Sequence, residues 1–481
     1  MISAFQHSYR QIDKLISIRR GEYYLLINSF FPQHRYLLQK NYKPVFDFFK
    51  MPRRLSEVFE FHKKHGSCAS TEGSSLDDLK NILSDLIRFK FLVQTDYNEW
   101  KRLDYFRRIR EHTNAISVLY ILPTTHCNLN CKYCYVYQGD APKAKRKQIK
   151  WETLVRGIDY FFHQASKRGK KKPLIIFSGG EPLLKKDLIK KSVNYINKRQ
   201  HDFNFNAPCK IGITTNGTLI TKDFLLFLKK HNVALGISID GMPKNNDRMR
   251  VYRGGKTSSV SERLFDKISL VEDLDVPYTL TMALHEHNTD INQHIKWISH
   301  HFKTKDIDIS LPHPFKSSAN VNFISPKVFS KTFFKSLLKE VIKRDISFLK
   351  YDYFAQKFFA LQPILHGCAP TTGQITIHPD GFIGNCSALF NTKKNYISMD
   401  NLPDDLLEHP FWKTDTTSSP IYRRDCYLNC EYFSLCTGGC FYDNECLSGS
   451  KNGVDPTFCN FNKAMVDLLS EEMIDHFLNN S

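Results

Sequence analysis

No stretch of this 481-residue chain approaches the roughly twenty uncharged apolar residues that a membrane-spanning helix needs. The first twenty residues carry charges throughout and have no continuous apolar run, so the pattern of a secretion signal is missing as well. These absences lead to the expectation of a cytoplasmic, reducing location, where the 13 cysteines serve as metal ligands sooner than as disulfides. Acidic residues are in short supply, 49 Asp plus Glu against 68 Lys plus Arg, for a formal net charge of +19. Such an excess permits acidic partners, a peptide or a nucleic acid among them. The basic runs Lys143 to Lys147 and Lys167 to Lys172 nevertheless flank predicted helix ends and have no interleaved aromatics, which reads as solvated surface and argues against nucleic acid. What is present is ample apolar material, 41% hydrophobic and 13% aromatic, and a length that suggests roughly three domains.

Between residues 117 and 311 short β-rich runs alternate with amphipathic helical stretches. The runs are Ser117 to Pro123, Leu174 to Phe177, Lys210 to Thr215, Val233 to Ile239, Tyr278 to Leu284 and Ile307 to Leu311. Helical patterns at Trp151 to Arg168, Lys186 to Lys198, Lys222 to His231, Ser259 to Glu272 and Ile291 to Phe302 fill the gaps. Strand-then-helix units in series predict an α/β fold, a parallel sheet with right-handed crossovers forming a partial (β/α)6 barrel. Ligands on such barrels gather at the C-terminal ends of the strands. The divisions that follow are 1–115, a small α+β module; 116–320, the barrel; 321–367, a helical connector; and 368–481, a cysteine-rich region closed by a helix over Asn462 to Phe477.

Directly after the first run stands Thr-Thr-His-Cys-Asn-Leu-Asn-Cys-Lys-Tyr-Cys-Tyr, with Cys127, Cys131 and Cys134 in a C-x3-C-x2-C triplet. Three thiolates on one tight loop can hold three corners of a cubane iron-sulfur cluster and leave the fourth iron open. A zinc knuckle or three core cysteines are the competing readings. With Tyr133 just before its last cysteine, the triplet resembles the signature of radical S-adenosylmethionine (SAM) enzymes. That resemblance implies a [4Fe-4S] cluster whose open iron chelates SAM's methionine and whose electron cleaves the sulfonium to a 5'-deoxyadenosyl radical.

Later loops extend the resemblance. Gly179-Gly180-Glu181-Pro182, after the second run, is similar to the segment that holds SAM's amino group; two glycines let backbone approach a ligand closely. Thr214-Thr215-Asn216-Gly217-Thr218 and Ser238-Ile239-Asp240-Gly241, after the third and fourth runs, resemble the loops that bind SAM's ribose and methionine. Asn246-Asp247-Arg248-Met249-Arg250 resembles a His-Asp-x-x-Arg element with Asn246 in place of His, so Arg250 is the residue implied for SAM's carboxylate and Arg248 a surface residue. The implied cofactor site is thus Tyr133, Gly179, Gly180, Glu181, Pro182, Asn216, Ser238, Asp240 and Arg250. Each taken singly reads equally well as a loop residue satisfying local backbone.

Eight cysteines crowd residues 368–459, at 368, 386, 426, 430, 436, 440, 446 and 459. The spacing Cys368, x12, Gly381, x4, Cys386, then Cys426, x3, Cys430, x5, Cys436, x3, Cys440, then Cys459 resembles the SPASM domain of peptide-modifying radical SAM enzymes. The resemblance implies two auxiliary [4Fe-4S] clusters, three clusters in all: an inner one on Cys368, Cys386 and Cys440, and an outer one on Cys426, Cys430, Cys436 and Cys459. Three residues between Cys426 and Cys430, where the family has two, leave Cys426 open to replacement by Cys446. A pair of structural zinc sites is the competitor. Cys68 and Cys209 fit no motif and read as packing, and His126 as a loop hydrogen-bonder.

The first segment combines a strand pair, Glu22 to Asn28 and His34 to Leu38, with helical patterns at Val45 to Lys50, Leu55 to His65 and Ser75 to Phe89 and a closing strand Phe91 to Val93. This order resembles the PqqD-like winged-helix module, to whose sheet edge a leader peptide adds as a strand; a structural cap is the alternative. Together the resemblances imply an oxidoreductase that modifies a ribosomally made precursor peptide or protein, by side-chain crosslinking or oxidation, with a reductant such as flavodoxin or ferredoxin. The catalytic base is unassigned, with Asp380, Ser387 and His313 as candidates. Two alternatives stand beside it. One is an anaerobic sulfatase maturase, which carries Asp as its base where this chain has Ser387; the other is a non-enzymatic metal- and nucleic-acid-binding protein.

Overall fold

The fold is given by a computed structural model that describes residues 7–65, 76–136, 147–168, 172–254, 258–285, 287–311, 313, 330–365, 373–389, 396–410, 412, 419–450 and 452–480. Cys68 and Cys368 lie outside the described residues. No helix among them is long and apolar enough to cross a membrane.

Six strands in the first segment build two small sheets. β1 (Ser8–Gln11) lies between β5 (Arg53–Arg54) and β6 (Leu92–Gln94), while β2 (Leu15–Arg20), β3 (Tyr23–Asn28) and β4 (Phe31–Gln39) form an antiparallel meander. The sequence pattern anticipated β3, β4 and β6. It missed β1, β2 and the two-residue β5, and it did not anticipate that β6 pairs with β1. Helices Lys43–Phe48, Leu55–His65 and Leu76–Arg88 pack on this module through Phe46, Val58, Leu79, Leu83 and Leu86.

The centre is a nine-stranded sheet. β7 (Val118–Ile121), β8 (Leu174–Phe177), β9 (Lys210–Thr215), β10 (Val233–Ser238), β11 (Tyr278–Ala283) and β12 (Ile307–Ser310) are all parallel and lie in sequence order, each joined to the next by a connection containing at least one helix. Isoleucine and valine dominate these strands because β-branched side chains pack well on a pleated surface covered on both faces. The crossover helix Trp151–Lys167 shows how the partner layer forms: Leu154, Ile158, Phe161 and Ala165 recur at helical spacing and are all buried. Helix Val260–Asp273 starts on Ser259, whose hydroxyl accepts the Glu262 amide at 3.0 Å, a serine cap with glutamate three residues on.

One strand of this sheet comes from far away. β13 (Gln374–Ile377) pairs parallel with β7, and β14 (Phe382–Gly384) and β15 (Tyr396–Ser398) continue antiparallel beyond it. The C-terminal segment therefore extends the barrel sheet, and its Ile375, Ile377 and Ile383 share one apolar core with Leu119 and Ile121 of the barrel and with Ile16, Leu25 and Ile27 of the first segment. Helices Lys331–Lys343 and Leu349–Phe359 and the long Pro456–Asn480 helix pack on the same core.

Gly157 faces this junction: a Cβ there would overlap the Ile377 side chain. Gly157→Leu is therefore expected to destabilise the protein by about 1–3 kcal/mol through overpacking, and Ile377→Ala in the same chain to recover part of that loss. Chemical unfolding of the four members of the cycle measures it; strictly additive effects would show that β13 does not lie under this helix.

Candidate metal and active site

The loop after β7 carries Cys127, Cys131 and Cys134 and is held along both flanks. On one side the Gly180 amide donates to the Thr124 carbonyl at 3.0 Å and the Glu181 amide to the His126 carbonyl at 2.7 Å. Gly180 has to be glycine because a Cβ there would run into the His126 carbonyl. On the other side residues 249–253 run along the loop, with Asn130 N to Val251 O at 2.7 Å, Lys132 N to Met249 O at 2.9 Å and Arg253 N to Asn128 O at 3.0 Å. The three thiols act on one another electrostatically, and desolvation pushes Cys127 up to about 12 and Cys131 further still, so a bound metal is what would keep them as thiolates. This all-sulfur set on a tight loop fits an iron-sulfur cluster.

Glu181 is buried, and its carboxylate accepts the Thr215 hydroxyl at 2.6 Å, the Leu183 amide at 2.9 Å and the Asn216 amide at 2.9 Å. Burial pushes its pKa up while these donors pull it down. The carboxylate is thus engaged by the chain itself. Pro182 opens a short 3-10 turn over Pro182–Lys185 and is buried. Asn216 reaches the cluster loop directly, donating to Asn128 Oδ1 at 2.9 Å with its amide 3.7 Å from Cys127 Sγ. A cavity of about 500 Å³ opens beside Cys127, Asn128 and Thr218, walled by Tyr252, Arg253 and Arg263.

The loops after β10 and β11 meet at Asp240, which is fully buried. Its carboxylate accepts the Tyr133 hydroxyl at 2.7 Å, Arg250 Nη2 at 3.2 Å and the Ala283 amide at 3.3 Å. Arg250 Nε lies 3.1 Å from it and the guanidinium 5.7 Å from the Tyr133 ring centre. Tyr133, Asp240 and Arg250, named separately from the sequence, are therefore one ion-paired unit beside Cys131. Ser238 ends β10 two residues before it, and buried Asn246 fixes it from behind, its Oδ1 accepting the Asp240 amide at 3.0 Å. Arg248 is exposed.

Sequence reasoning missed His285. It stacks on Tyr133 with centroids 6.0 Å apart, and its Nε2 lies 3.8 Å from Asp240. Burial pushes its imidazole down to about 4, so it is neutral near pH 7. Its position after a strand end was the available signal.

The distal cysteines fall into two groups. Burial raises the pKa of Cys426, Cys436 and Cys459, to about 11 for Cys459, and neighbouring thiols of the set, Cys430 among them, add to the rise in each. The three-residue spacer is taken up by helix Arg424–Asn429: Cys430 caps it in extended conformation, and its amide donates to the Cys426 carbonyl at 2.9 Å, so one helical turn separates the two cysteines. Gly438 and Gly439 both have positive φ, 82° and 73°, and separate Cys436 from Cys440, which joins the second group. There Cys386, Cys440 and Cys446 pack around Phe441, Tyr442 and Tyr135. Cys209 is buried away from both, at the start of β9.

Of the three candidate bases, Asp380 is the one already committed. Burial works to raise its pKa, but His378 and Lys147, whose Nζ is 2.5 Å from it, outweigh that and hold it at about 2. Ser387 bonds the Tyr135 hydroxyl. His313 lies three residues past β12, with Nδ1 2.7 Å from Asp443 Oδ1 and Cys440 also bonded to the ring; desolvation opposes its charge, yet these neighbours raise its pKa.

Asp240→Asn leaves Arg250 buried without its counter-charge and is expected to cost about 3–5 kcal/mol. Asp400→Asn, in the exposed pair with Arg156, should change stability by less than about 0.5 kcal/mol. Chemical unfolding of both variants checks this; equal losses would mean that the Asp240 network carries no special weight.

Residues 121–298 match the model of the Radical SAM superfamily. An uncharacterised protein of Methanocaldococcus jannaschii is 31% identical over 194 residues, which span 40% of this chain and 62% of that protein, less than two thirds of its length. A cysteine-type anaerobic sulfatase-maturating enzyme of Clostridium novyi is 25% identical over 373 residues, 72% of this chain and 92% of the enzyme. The radical SAM cyclopropyl synthase TigE of Paramaledivibacter caminithermalis is 23% identical over 448 residues, 89% of this chain and 88% of that protein. Among solved structures, native anSMEcpe with bound AdoMet shares the fold, with a TM-score of 0.61 and 19% identity over 74% of this chain and 98% of that one. With the cysteine triplet and the loops that flank it inside the matched segment, residues 121–298 form a radical SAM domain, which makes the protein an enzyme.

Proposed function

We propose that the protein modifies a side chain of a ribosomally made peptide or protein, by crosslinking or oxidation, and that it does so with one radical SAM cluster and two auxiliary [4Fe-4S] clusters. The observation that carries this reading is the second layer of thiols: two groups of cysteines, one packed on Tyr135, the residue that follows Cys134. When bound, SAM and the cluster supply a 5'-deoxyadenosyl radical that abstracts hydrogen. The chain's own part is to hold and aim. Cys127, Cys131 and Cys134 hold the first cluster; the carbonyls of the Gly179 to Pro182 loop, Asn216, Ser238 and the Asp240–Arg250 unit hold SAM. Cys368, Cys386 and Cys440 hold the inner auxiliary cluster, and Cys426, Cys430, Cys436 and Cys459 the outer one.

Anaerobically purified protein should contain about twelve iron atoms with matching sulfide, from three cubanes. It should also release 5'-deoxyadenosine from SAM and dithionite, with none above background for the triple alanine variant of Cys127, Cys131 and Cys134. Four iron atoms, about one cubane, would remove the auxiliary clusters from the reading, and zinc in their place would revive structural zinc sites.

The likeness to the Clostridium novyi enzyme over 92% of its length favours a second reading, formylglycine formation in a sulfatase. Ser387 at the position where that family has its base, and Asp380 locked to Lys147, weigh against it. Mass spectrometry decides: a candidate precursor peptide, sought among short open reading frames next to the gene, gains a crosslink or loses hydrogen under the first reading, while a Cys- or Ser-containing sulfatase peptide gains formylglycine under the second.

For the first segment we extend the proposal to leader binding. Among the described residues β4 pairs with β3 alone, whereas β2, on the other edge, is linked to the closing helix by the Arg20–Asp475 ion pair at 2.8 Å. A leader adding as a strand would therefore use β4. Amide exchange in β4 should slow when the precursor peptide binds; unchanged exchange with saturating peptide would leave the module a structural cap.

A further inference from the structure

We infer that His313 is the fourth ligand of the inner auxiliary cluster, with Asp443 as the carboxylate that orients it; this rests on the two-cluster reading above. Three parts of the chain converge here: His313 past the end of β12, Cys440 immediately before helix Phe441–Ser448, and Asp443 in that helix's first turn. One ligand atom from each lies within 4.8 Å of the other two. Asp443 is buried, and its Oδ1 is 2.7 Å from His313 Nδ1, which sets the tautomer with Nδ1–H donating and leaves Nε2 as the nitrogen for a metal. A histidine that gives one ring N–H to a carboxylate and its other nitrogen to a metal is a recurrent arrangement at metal centres. The ring is also fixed by two edge-on tyrosines, Tyr442 at 5.8 Å and Tyr135 at 6.0 Å between centroids. A cavity of about 230 Å³ opens on all three side chains, with apolar walls from Leu284, Leu311 and Phe334.

The donor count points the same way. The SPASM resemblance implies three cysteines for the inner cluster, and of these Cys386 packs in the same group as Cys440. Cys446 is the rival for the fourth position, but its thiol is bonded to the Tyr442 hydroxyl, whereas His313 contacts Cys440 itself.

The test uses full-length protein carrying the Cys127, Cys131 and Cys134 alanine substitutions, so that only auxiliary clusters remain, reconstituted with iron and sulfide and reduced with dithionite. Pulsed EPR is compared between natural-abundance protein and protein labelled with 15N-histidine. A strongly coupled histidine nitrogen that disappears in His313→Cys, with about eight iron atoms retained as in the parent (two cubanes), is the expected result. Cys446→Ser should leave the coupling intact. Eight iron atoms without any histidine coupling, or a coupling that persists in His313→Cys, overturns the inference alone. Protein that takes up no auxiliary iron overturns the two-cluster reading and the inference with it.

Discussion

A single buried carboxylate holds the strand-end loops in register. Glu181 is 1% exposed, and burying it uncompensated would be costly, so its position depends on three hydrogen bonds, two of them from Thr215 and Asn216 on the neighbouring strand end. Its own amide meanwhile bonds the His126 carbonyl one residue before Cys127. One residue thereby fixes three loops, those after β7, β8 and β9, relative to each other. The close approach also explains the glycine before it: any side chain at 180 would push the two loops apart and break the amide contacts to Thr124 and His126.

Asp240 does the same work on the opposite flank, but with charge. It joins the loops after β7, β10 and β11 through Tyr133, its own segment and Ala283. Desolvation works against the Arg250 cation; Asp240, Tyr133 and Cys131 outweigh it and raise its pKa. A permanently charged guanidinium thus sits beside the cysteine thiols, where it favours their ionised form. His285, neutral and stacked on Tyr133, closes the group without adding a second cation.

The barrel was largely legible in the sequence because its signals are local. Runs such as Leu174–Phe177 and Lys210–Thr215 are strands over the range the pattern predicts, and helix Trp151–Lys167 differs from its pattern by one residue. What the sequence hid is non-local. β13 is four residues long, and its partner β7 lies some 250 positions earlier, so no window contains both. The Cys426–Cys430 spacing looked irregular against the family's two-residue spacer; the chain fills it with the short helix Arg424–Asn429, which Cys430 caps. The motifs make Glu181 and Arg250 candidates but do not reveal that each is already engaged within the chain, since hydrogen-bond partners 34 and 10 residues away leave no trace in a motif.

β13 changes how the two ends of the chain relate. A barrel sheet that ended at β7 would expose an unpaired parallel edge beside the loop of Cys127 to Cys134. β13 covers that edge, helix Trp151–Lys167 clamps it through the Gly157 contact to Ile377, and the strand leads within nine residues of its end to Cys386. Tyr135 spans what lies between: it feels the charge of both Cys134 and Cys386, its hydroxyl bonds Ser387 and Ser178, and its ring meets His313 edge-on. The separation between the first cysteines and the distal ones is therefore set by a shared sheet and a packed core instead of by a linker. Any chemistry that uses both sets of cysteines works across that fixed separation.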